Sequence, residues 1–271
     1  GGGSNSVAAL IIMAMPSNVI RIRSWREAMH ERYGRAEFLA AGRIYDAAIE
    51  DGASPTYDDE LLRARILLKH DENAAVAALI KRPAKGRTSA QRAQWTLLLG
   101  IGYARMRDFE RADHYFDLAR PLFTKAAEKS QLAYHLARRY LLEGRLDDAS
   151  SAAEEMSRDR SQAAKISYQM LRSFITSHEE RYRESAQHLI NAINLIGKSR
   201  EKFPEEWFHA VQNLALFARE LSFEEAAVLA RQEVDQDIEW PEDFQGFRFQ
   251  ALKAIGWCCA LRGDVLGCFR Y

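Results

Sequence analysis

Residues 93–124 read AQWTLLLGIGYARMRDFERADHYFDLARPLFT, and this stretch decides the fold. Apolar residues recur in it at intervals of three and four, which is the spacing of an amphipathic α-helix. The pattern breaks at Arg107-Asp108-Phe109, and Asp is a preferred residue at the N-terminal cap of a helix. The stretch therefore predicts two helices joined by a tight turn. Gly100 and Ala112 are small residues, and we expect them where the two helices approach most closely.

The same arrangement recurs along the chain. Residues 130–163 repeat it in the same register, with Ala137 and Ala149 as the small residues around a turn at Gly144-Arg145-Leu146. Looser copies occupy about 171–193, 210–230 and 252–268, and divergent helix pairs precede them at about 38–47 and 62–79. A spacing of about 33–40 residues is typical of helical repeat proteins. No run of alternating polar and apolar residues is long enough to predict a sheet.

These units resemble the tetratricopeptide repeat family. In its consensus a large, a small and an aromatic residue mark the first helix, and Ala, aromatic and Ala mark the second; the matching residues are Leu99, Gly100, Tyr103, Ala112, Phe116 and Ala119. The resemblance implies an all-α fold, a right-handed α-solenoid of antiparallel helical hairpins. The Gly- and Ser-rich residues 1–6 indicate a linker or tag scar, and residues 7–34 an N-terminal apolar segment with a lead helix. The repeat domain then covers residues 35–271 and is truncated inside its last repeat.

The resemblance also implies a binding groove. In this family certain positions of the first helices face a bound peptide, and carried over they are Arg105, Gln131, Tyr134, Arg138, Arg172, Phe208, Arg219, Lys253 and Trp257. Guanidinium groups bind carboxylates with paired donors, and aromatic rings supply anchoring area. We therefore hypothesise that the groove takes a protein or peptide with acidic groups or a free carboxylate. The alternative, that these are ordinary solvated charges, stays open.

Composition limits the other classes of function. Lys plus Arg and Asp plus Glu both number 38, which disfavours direct nucleic-acid binding by this segment. The three cysteines, Cys258, Cys259 and Cys268, fit a reducing cytoplasm better than a disulfide framework. The apolar segment 7–15 is too short to cross a membrane, which needs about 20 residues. A signal-peptide core is conceivable there, but no Lys or Arg precedes it, so we expect a packed segment or a short lead helix.

The motifs that suggest catalysis or ligand binding are weak. Gly197-Lys198-Ser199 lacks the earlier Gly of a phosphate-binding loop and ends a helical pattern, so a helix C-terminal cap is the better interpretation. The seven His residues are scattered without metal-ligand spacing. Arg262-Gly263-Asp264 falls in an inter-helix turn. We expect no cofactor, no metal and no enzymatic activity.

Two functions remain for the repeat domain. One is a scaffold or adaptor that binds a partner in the groove. The other is a sensing region of a bacterial transcription regulator, because the hairpins over about residues 35–271 look like those joined to LuxR-type DNA-binding domains in MalT-like proteins. Any DNA-binding domain would then lie beyond Tyr271. The chain stops inside the second helix of a repeat, so we also expect a truncated repeat or an end covered by a partner or by a second copy in a homodimer.

Overall fold

The computed structural model describes residues 11–13, 21–84, 86–221, 223–236, 239–264 and 266–267. By its internal contacts the chain divides into two compact units, one that ends at Leu122 and one that begins at Phe123. Apart from one short pair of strands, all the regular structure in these residues is helical. The predicted all-α fold class is therefore confirmed.

The strands lie in the N-terminal region. β1 (Ile11–Met13) pairs antiparallel with β2 (Arg21–Arg23), and Ile12 stands opposite Ile22. For the segment 7–15 we expected a packed stretch or a short helix, whereas its three described residues are extended. Isoleucine is β-branched and favours strands over helices. The remainder of that segment, like residues 1–6, lies outside the described residues.

Six α-helices lie in the described residues of the first unit. They are α1 (Trp25–Gly34), α2 (Phe38–Glu50), α3 (Tyr57–Leu67), α4 (Glu72–Lys81), α5 (Ser89–Arg105) and α6 (Phe109–Ala119). Five of them begin at a capping side chain that accepts a backbone N–H of the first turn, namely Ser24, Thr56, Asp71, Thr88 and Asp108. Each helix packs against the next along the chain, and α3 also packs against α5.

The second unit has seven α-helices among its described residues. They are α7 (Ala126–Glu143), α8 (Leu146–Met156), α9 (Gln162–His178), α10 (Tyr182–Ile196), α11 (Pro204–Leu221), α12 (Glu224–Val234) and α13 (Gln245–Leu261). Gly197 follows α10 with a φ of 48°, so this glycine ends a helix as the sequence indicates. Consecutive helices pack in pairs, and α7, α9, α11 and α13 form a continuous series of contacts.

Small residues stand where paired helices touch. Ser173 on α9 and Ser185 on α10 are buried with their Oγ atoms 2.9 Å apart, and the Ser185 hydroxyl also donates to the Ser173 carbonyl at 2.7 Å. They are twelve positions apart in the sequence. Buried small residues twelve positions apart also occur in three other helix pairs, as Gly100/Ala112, Ala137/Ala149 and Ala215/Ala227. We call these four pairs, with Ser173/Ser185 included, the small-residue pairs. Their common spacing indicates that the four hairpins share one register.

Gly100 shows how little space this contact leaves. A Cβ atom built at Gly100 would lie 2.7 Å from the ring of Phe116 on α6. Phe116 is fully buried, so the ring has no free space to move into.

We therefore expect Gly100→Ala to lower the free energy of unfolding by about 1–3 kcal/mol, because overpacking outweighs the better helix propensity of Ala. Chemical denaturation followed by circular dichroism measures this change. Gly246→Ala on α13 is the matched control, since a Cβ there meets nothing within 4 Å, and its stability should be unchanged or slightly raised. Equal stabilities for the two variants would show that the α5–α6 contact is looser than described.

A buried carboxylate joins α1 to the start of α3. Asp59 accepts hydrogen bonds from Arg26 Nε at 2.8 Å, from the Thr56 backbone N–H at 2.7 Å and from the Thr56 hydroxyl at 2.8 Å. Burial alone would raise the pKa of Asp59, but these hydrogen bonds outweigh it and hold the pKa below the ordinary value. The ionised form therefore stabilises the folded state above the ordinary Asp pKa, and this stabilisation is lost as the pH falls through the lowered one.

Asp59→Asn should accordingly cost about 1–3 kcal/mol of stability at neutral pH, because it weakens a charge-assisted network. The difference from the unchanged protein should shrink in acid, where the native carboxyl becomes protonated as well. Urea denaturation at neutral and at acidic pH gives both values. A difference that stays constant with pH would contradict the ionised role of Asp59.

Candidate functional site

A cation and two aromatic rings from successive odd-numbered helices meet on the surface of the second unit. The guanidinium of Arg138 on α7 lies 5.7 Å from the ring centroid of Tyr134 and 6.0 Å from that of Phe174 on α9. Its Nη1 also donates a long hydrogen bond of 3.4 Å to the Tyr134 hydroxyl. Arg138 nevertheless remains an exposed residue. Contacts of this kind between guanidinium and ring are attractive and orient the cation.

Arg138 carries the permanent charge of a guanidinium, and its surroundings favour the charged form further. The Tyr134 phenol contributes most to a pKa above the ordinary value for Arg138, burial opposes it, and Glu205 at the start of α11 also raises it. Among the described residues, none offers a carboxylate close enough to Arg138 to form an ion pair. The guanidinium therefore keeps donors available for an acidic group from outside the chain.

Arg138 belongs to a row of corresponding positions. In the second unit, the first small residue of each pair is followed directly by Arg138 on α7, Phe174 on α9 and Leu216 on α11. On α13, Gly256 takes the place of the small residue, and Trp257 follows it. The sequence partner of Gly256 at the same spacing, Cys268, lies outside the described residues. Because these four helices contact one another in order and the positions correspond, we expect the four side chains to lie on one surface. Arg138 and Phe174 are in direct contact. We call Arg138, Phe174, Leu216 and Trp257 the first-helix row.

The row is accessible to solvent. Trp257 is 58% exposed, and Phe174 and Leu216 are half-buried. Exposed residues of the same helices border it, namely Gln131 and Leu142 on α7 and His178 on α9. Trp and Arg are enriched in protein interfaces, and Phe is enriched at their buried centre.

Arg172 lies on the opposite side of α9. Tyr168, one turn earlier, donates to Glu154 of α8 at 3.0 Å, and Arg172 lowers the pKa of His188 on α10. Residues 172 and 174 point about 200° apart around a helix. The structure therefore puts Phe174, not Arg172, beside Arg138. The sequence signal that identifies Phe174 is the spacing between Ser173 and Ser185.

Phe208 is a core residue in this structure. It is 3% exposed, and its ring centroid lies 4.6 Å from that of Phe244 and 4.7 Å from that of Trp240. A side chain packed in this way anchors α11 to the segment before α13. We leave it out of the candidate surface.

The remaining predicted residues are dispersed. Arg105, in the first unit, donates to the carbonyl of Leu68 at the end of α3 and lies 3.7 Å from Glu72, so it caps a helix. Arg219 pairs with the adjacent Glu220, with Nε 2.9 Å from Oε1. Gln131 and Lys253 are exposed on α7 and α13. Of the nine predicted residues, all of which the structure describes, Tyr134 and Arg138 are thus brought into direct contact. Trp257 occupies the corresponding position on α13.

Signs of metal or thiol chemistry are sparse in the part of the chain that the structure describes. No group of three or more His, Cys, Asp or Glu residues there could hold a metal ion. Cys258 and Cys259 are buried on α13, and burial raises the pKa of the Cys258 thiol, which keeps it protonated and unreactive. Within the same residues, no helix combines the length and apolar character that a membrane crossing requires.

Neither a protein-family model nor a curated protein sequence matches the chain. The case for function therefore depends on the geometry of the first-helix row.

The position of Arg172 can be tested through His188. The His188 Nδ1 lies 2.7 Å from Gln169 Oε1, and its pKa is lowered first by burial and then by Arg172. A nearby cation makes protonation of the imidazole less favourable. Arg172→Ala removes that cation and should therefore raise the pKa of His188 towards its ordinary value. NMR titration of the imidazole protons measures this shift.

Arg138→Ala is the matched control and should leave the His188 titration unchanged. Arg172→Ala could leave the pKa of His188 unchanged, or Arg138→Ala could shift it as much. Either result would show that Arg172 does not face away from the side of α9 that Arg138 of α7 contacts.

Proposed function

We propose that this protein is a scaffold or adaptor that binds a partner, built as a right-handed α-solenoid of tetratricopeptide-like hairpins. The first-helix row of its second unit receives a peptide segment of another protein. Two features support the architecture: the repeated twelve-position spacing of the small-residue pairs, and the contacts between alternate helices. In a helical repeat array each hairpin contacts its neighbours in just this stepwise manner.

The contact of Arg138 with Phe174 carries the functional proposal. It joins two successive first helices through a cation and a ring. Among the described residues, Glu205 acts on Arg138 through its charge but forms no ion pair with it. A guanidinium can donate two parallel hydrogen bonds to a carboxylate, and an adjacent ring covers the apolar part of the same ligand. Trp257 adds a second aromatic anchor at the other end of the row.

The dimensions of the row suggest the size of the ligand. Packed helices lie about 8–10 Å apart, so a row across four of them spans about 25–30 Å. An extended chain advances about 3.3 Å per residue. A peptide of roughly eight or nine residues would thus reach from Arg138 to Trp257. Its expected chemistry is a carboxylate near Arg138 and an apolar side chain near Trp257.

A binding measurement with defined peptides tests this proposal. The probe is a fluorescent library of nine-residue peptides with an acidic residue or a free carboxyl terminus at one end and an aromatic residue at the other. Arg138→Ala should weaken binding of the selected peptides about tenfold or more, as expected for loss of a charge-assisted hydrogen bond. Fluorescence anisotropy gives the dissociation constants.

Arg172→Ala serves as the matched control, because it removes the same side chain from the other side of α9, and it should leave binding unchanged. Neutral, amidated versions of the peptides should bind more weakly than the acidic ones. Equal losses in both arginine variants, or equal binding of neutral and acidic peptides, would refute the proposal.

A further inference from the structure

A second candidate surface lies in the first unit, where an aromatic cluster joins α4, α5 and α6. Trp95 of α5 is half-buried, and its indole Nε1 donates to the Leu79 carbonyl of α4 at 3.0 Å. The Trp95 ring centroid lies 5.8 Å from that of Tyr115 on α6, and Tyr115 stacks on Tyr103 of α5 at 5.6 Å. The cluster therefore holds three helices together and leaves Trp95 and Tyr115 partly open to solvent.

Exposed apolar side chains border this cluster. Ile80 on α4 is 52% exposed, and Leu118, one turn after Tyr115 on α6, is 45% exposed. A Cβ atom at Gly102 of α5 would collide with Val76, so the side of α4 that bears Val76 and, one turn later, Ile80 is turned towards α5. Described residues precede and follow all three helices, so this exposure is not that of a chain end. We call Ile80, Trp95, Tyr115 and Leu118 the α4–α6 face.

The sequence around this face carries charge of one sign. Residues 73–107 include no Asp or Glu and seven basic residues, namely Lys81, Arg82, Lys85, Arg87, Arg92, Arg105 and Arg107. Contacts within the first unit engage Arg82, Arg87 and Arg105. Among the described residues, no carboxylate forms an ion pair with Arg92. In a chain whose formal net charge is zero, this stretch is a local excess of positive charge.

Two cations lie directly beside the α4–α6 face. Arg92 is exposed one turn before Trp95 on α5, and Arg111 is exposed one turn before Tyr115 on α6. Arg111 keeps only a long contact of 3.5 Å with Asp108, at the start of its own helix. At 100° per residue, the acidic residues of α6 point about 140–160° away from Tyr115. These are Glu110, Asp113 and Asp117.

The second unit contains the equivalent position with an occupant. Tyr168 of α9, like Trp95 of α5, stands five residues before the small residue of its helix and is half-buried. The Tyr168 hydroxyl donates to Glu154 of the preceding helix, α8, at 3.0 Å. In the first unit the preceding helix is α4, which has no Asp or Glu after Glu72. A carboxylate of the chain itself therefore fills this position in the second unit but not in the first.

We propose that the α4–α6 face binds an acidic segment of a partner protein. An apolar side chain of that segment packs on Trp95 and Tyr115, and carboxylates beside it pair with Arg92 and Arg111. The face belongs to the first unit, so it is distinct from the first-helix row of the second.

Charge and polarity favour this occupant over three others. Two copies of the chain that paired through the same face would bring like cations together, which is unfavourable. Residues 1–20 of the chain contain no Asp or Glu that could pair with Arg92. Interfaces with nucleic acid are more polar than those between proteins, whereas Ile80 and Leu118 make this face apolar.

Fluorine NMR of labelled tryptophan tests the proposal, because Trp95 lies on this face and Trp257 on the first-helix row. The whole chain carries fluorotryptophan, and Trp95→Phe and Trp257→Phe assign the two resonances. The probe is a designed peptide of about twelve residues, rich in Glu with Leu and Phe at its centre; a second peptide has Lys in place of Glu. The Glu peptide should shift the Trp95 resonance to saturation, and the Lys peptide should bind about tenfold more weakly or less.

Variants identify the groups that act. Arg92→Glu should weaken binding of the Glu peptide at Trp95 about tenfold or more, because it replaces an attraction by a repulsion. Leu118→Ser should weaken it as well, since the apolar border is lost. Arg158→Glu makes the same change of charge at an exposed position of the second unit, and Val228→Ser removes an exposed apolar side chain of α12. Both controls should leave the shift of Trp95 unchanged.

Arg138→Ala should also leave the Trp95 shift unchanged and affect only Trp257, so the two proposals fail separately. An unmoved Trp95 resonance, equal binding of the two peptides, or equal effects of Arg92→Glu and Arg158→Glu would overturn the proposal. Tighter binding of a single-stranded oligothymidylate than of the Glu peptide would assign the face to nucleic acid and overturn it. Sedimentation that shows a dimer, lost in Leu118→Ser, would assign the face to a second copy with the same consequence.

Discussion

The close contact between the helices of each hairpin is the constraint on which the second unit depends. At Ser173 and Ser185 the hydroxyl oxygens are 2.9 Å apart in a buried environment, and larger side chains would separate the helices. The contact sets the rotation of each helix about its own axis. Because a helix advances about 100° per residue, the residue after the small one is then directed to the same surface in successive hairpins. Arg138 and Phe174 meet for this reason.

The helices themselves were predictable because their signals are local. The turn at Asp108 and the small residues Gly100 and Ala112 lie within one short stretch, and α5 and α6 end and begin around it as predicted. The rotation of α9 about its own axis was harder to predict. Its small residue is Ser173 rather than Gly or Ala, and its apolar residues fit more than one register. The family resemblance therefore implies that Arg172 faces the groove, whereas in the structure Phe174 lies beside Arg138.

The aromatic residues show a second limit of prediction from the sequence: it did not reveal which of them are buried. Phe208 and Trp257 both fit the pattern of a groove anchor, yet Phe208 is buried and Trp257 is exposed. The difference arises because Trp240 and Phe244, more than 30 positions along the chain, cover Phe208. The hydrophobic periodicity of a helix does not indicate which residues from a distant part of the chain will pack over it. The pairing of Ile11–Met13 with Arg21–Arg23 is likewise a contact between segments, which the sequence analysis did not predict.

The central claim is that α9 and α10 pair in the register set by Ser173 and Ser185. Disulfide formation tests it most directly, because side-chain atoms 2.9 Å apart become bonded sulfurs with little movement. The test starts from a chain in which Cys258, Cys259 and Cys268 are replaced by Ala and adds Ser173→Cys together with Ser185→Cys. We expect the two new thiols to form a disulfide, which mass spectrometry of a digest detects as two linked peptides. If those thiols stay reduced while the pair Phe174→Cys and Ser185→Cys becomes linked, the register is different and the first-helix row does not exist as described.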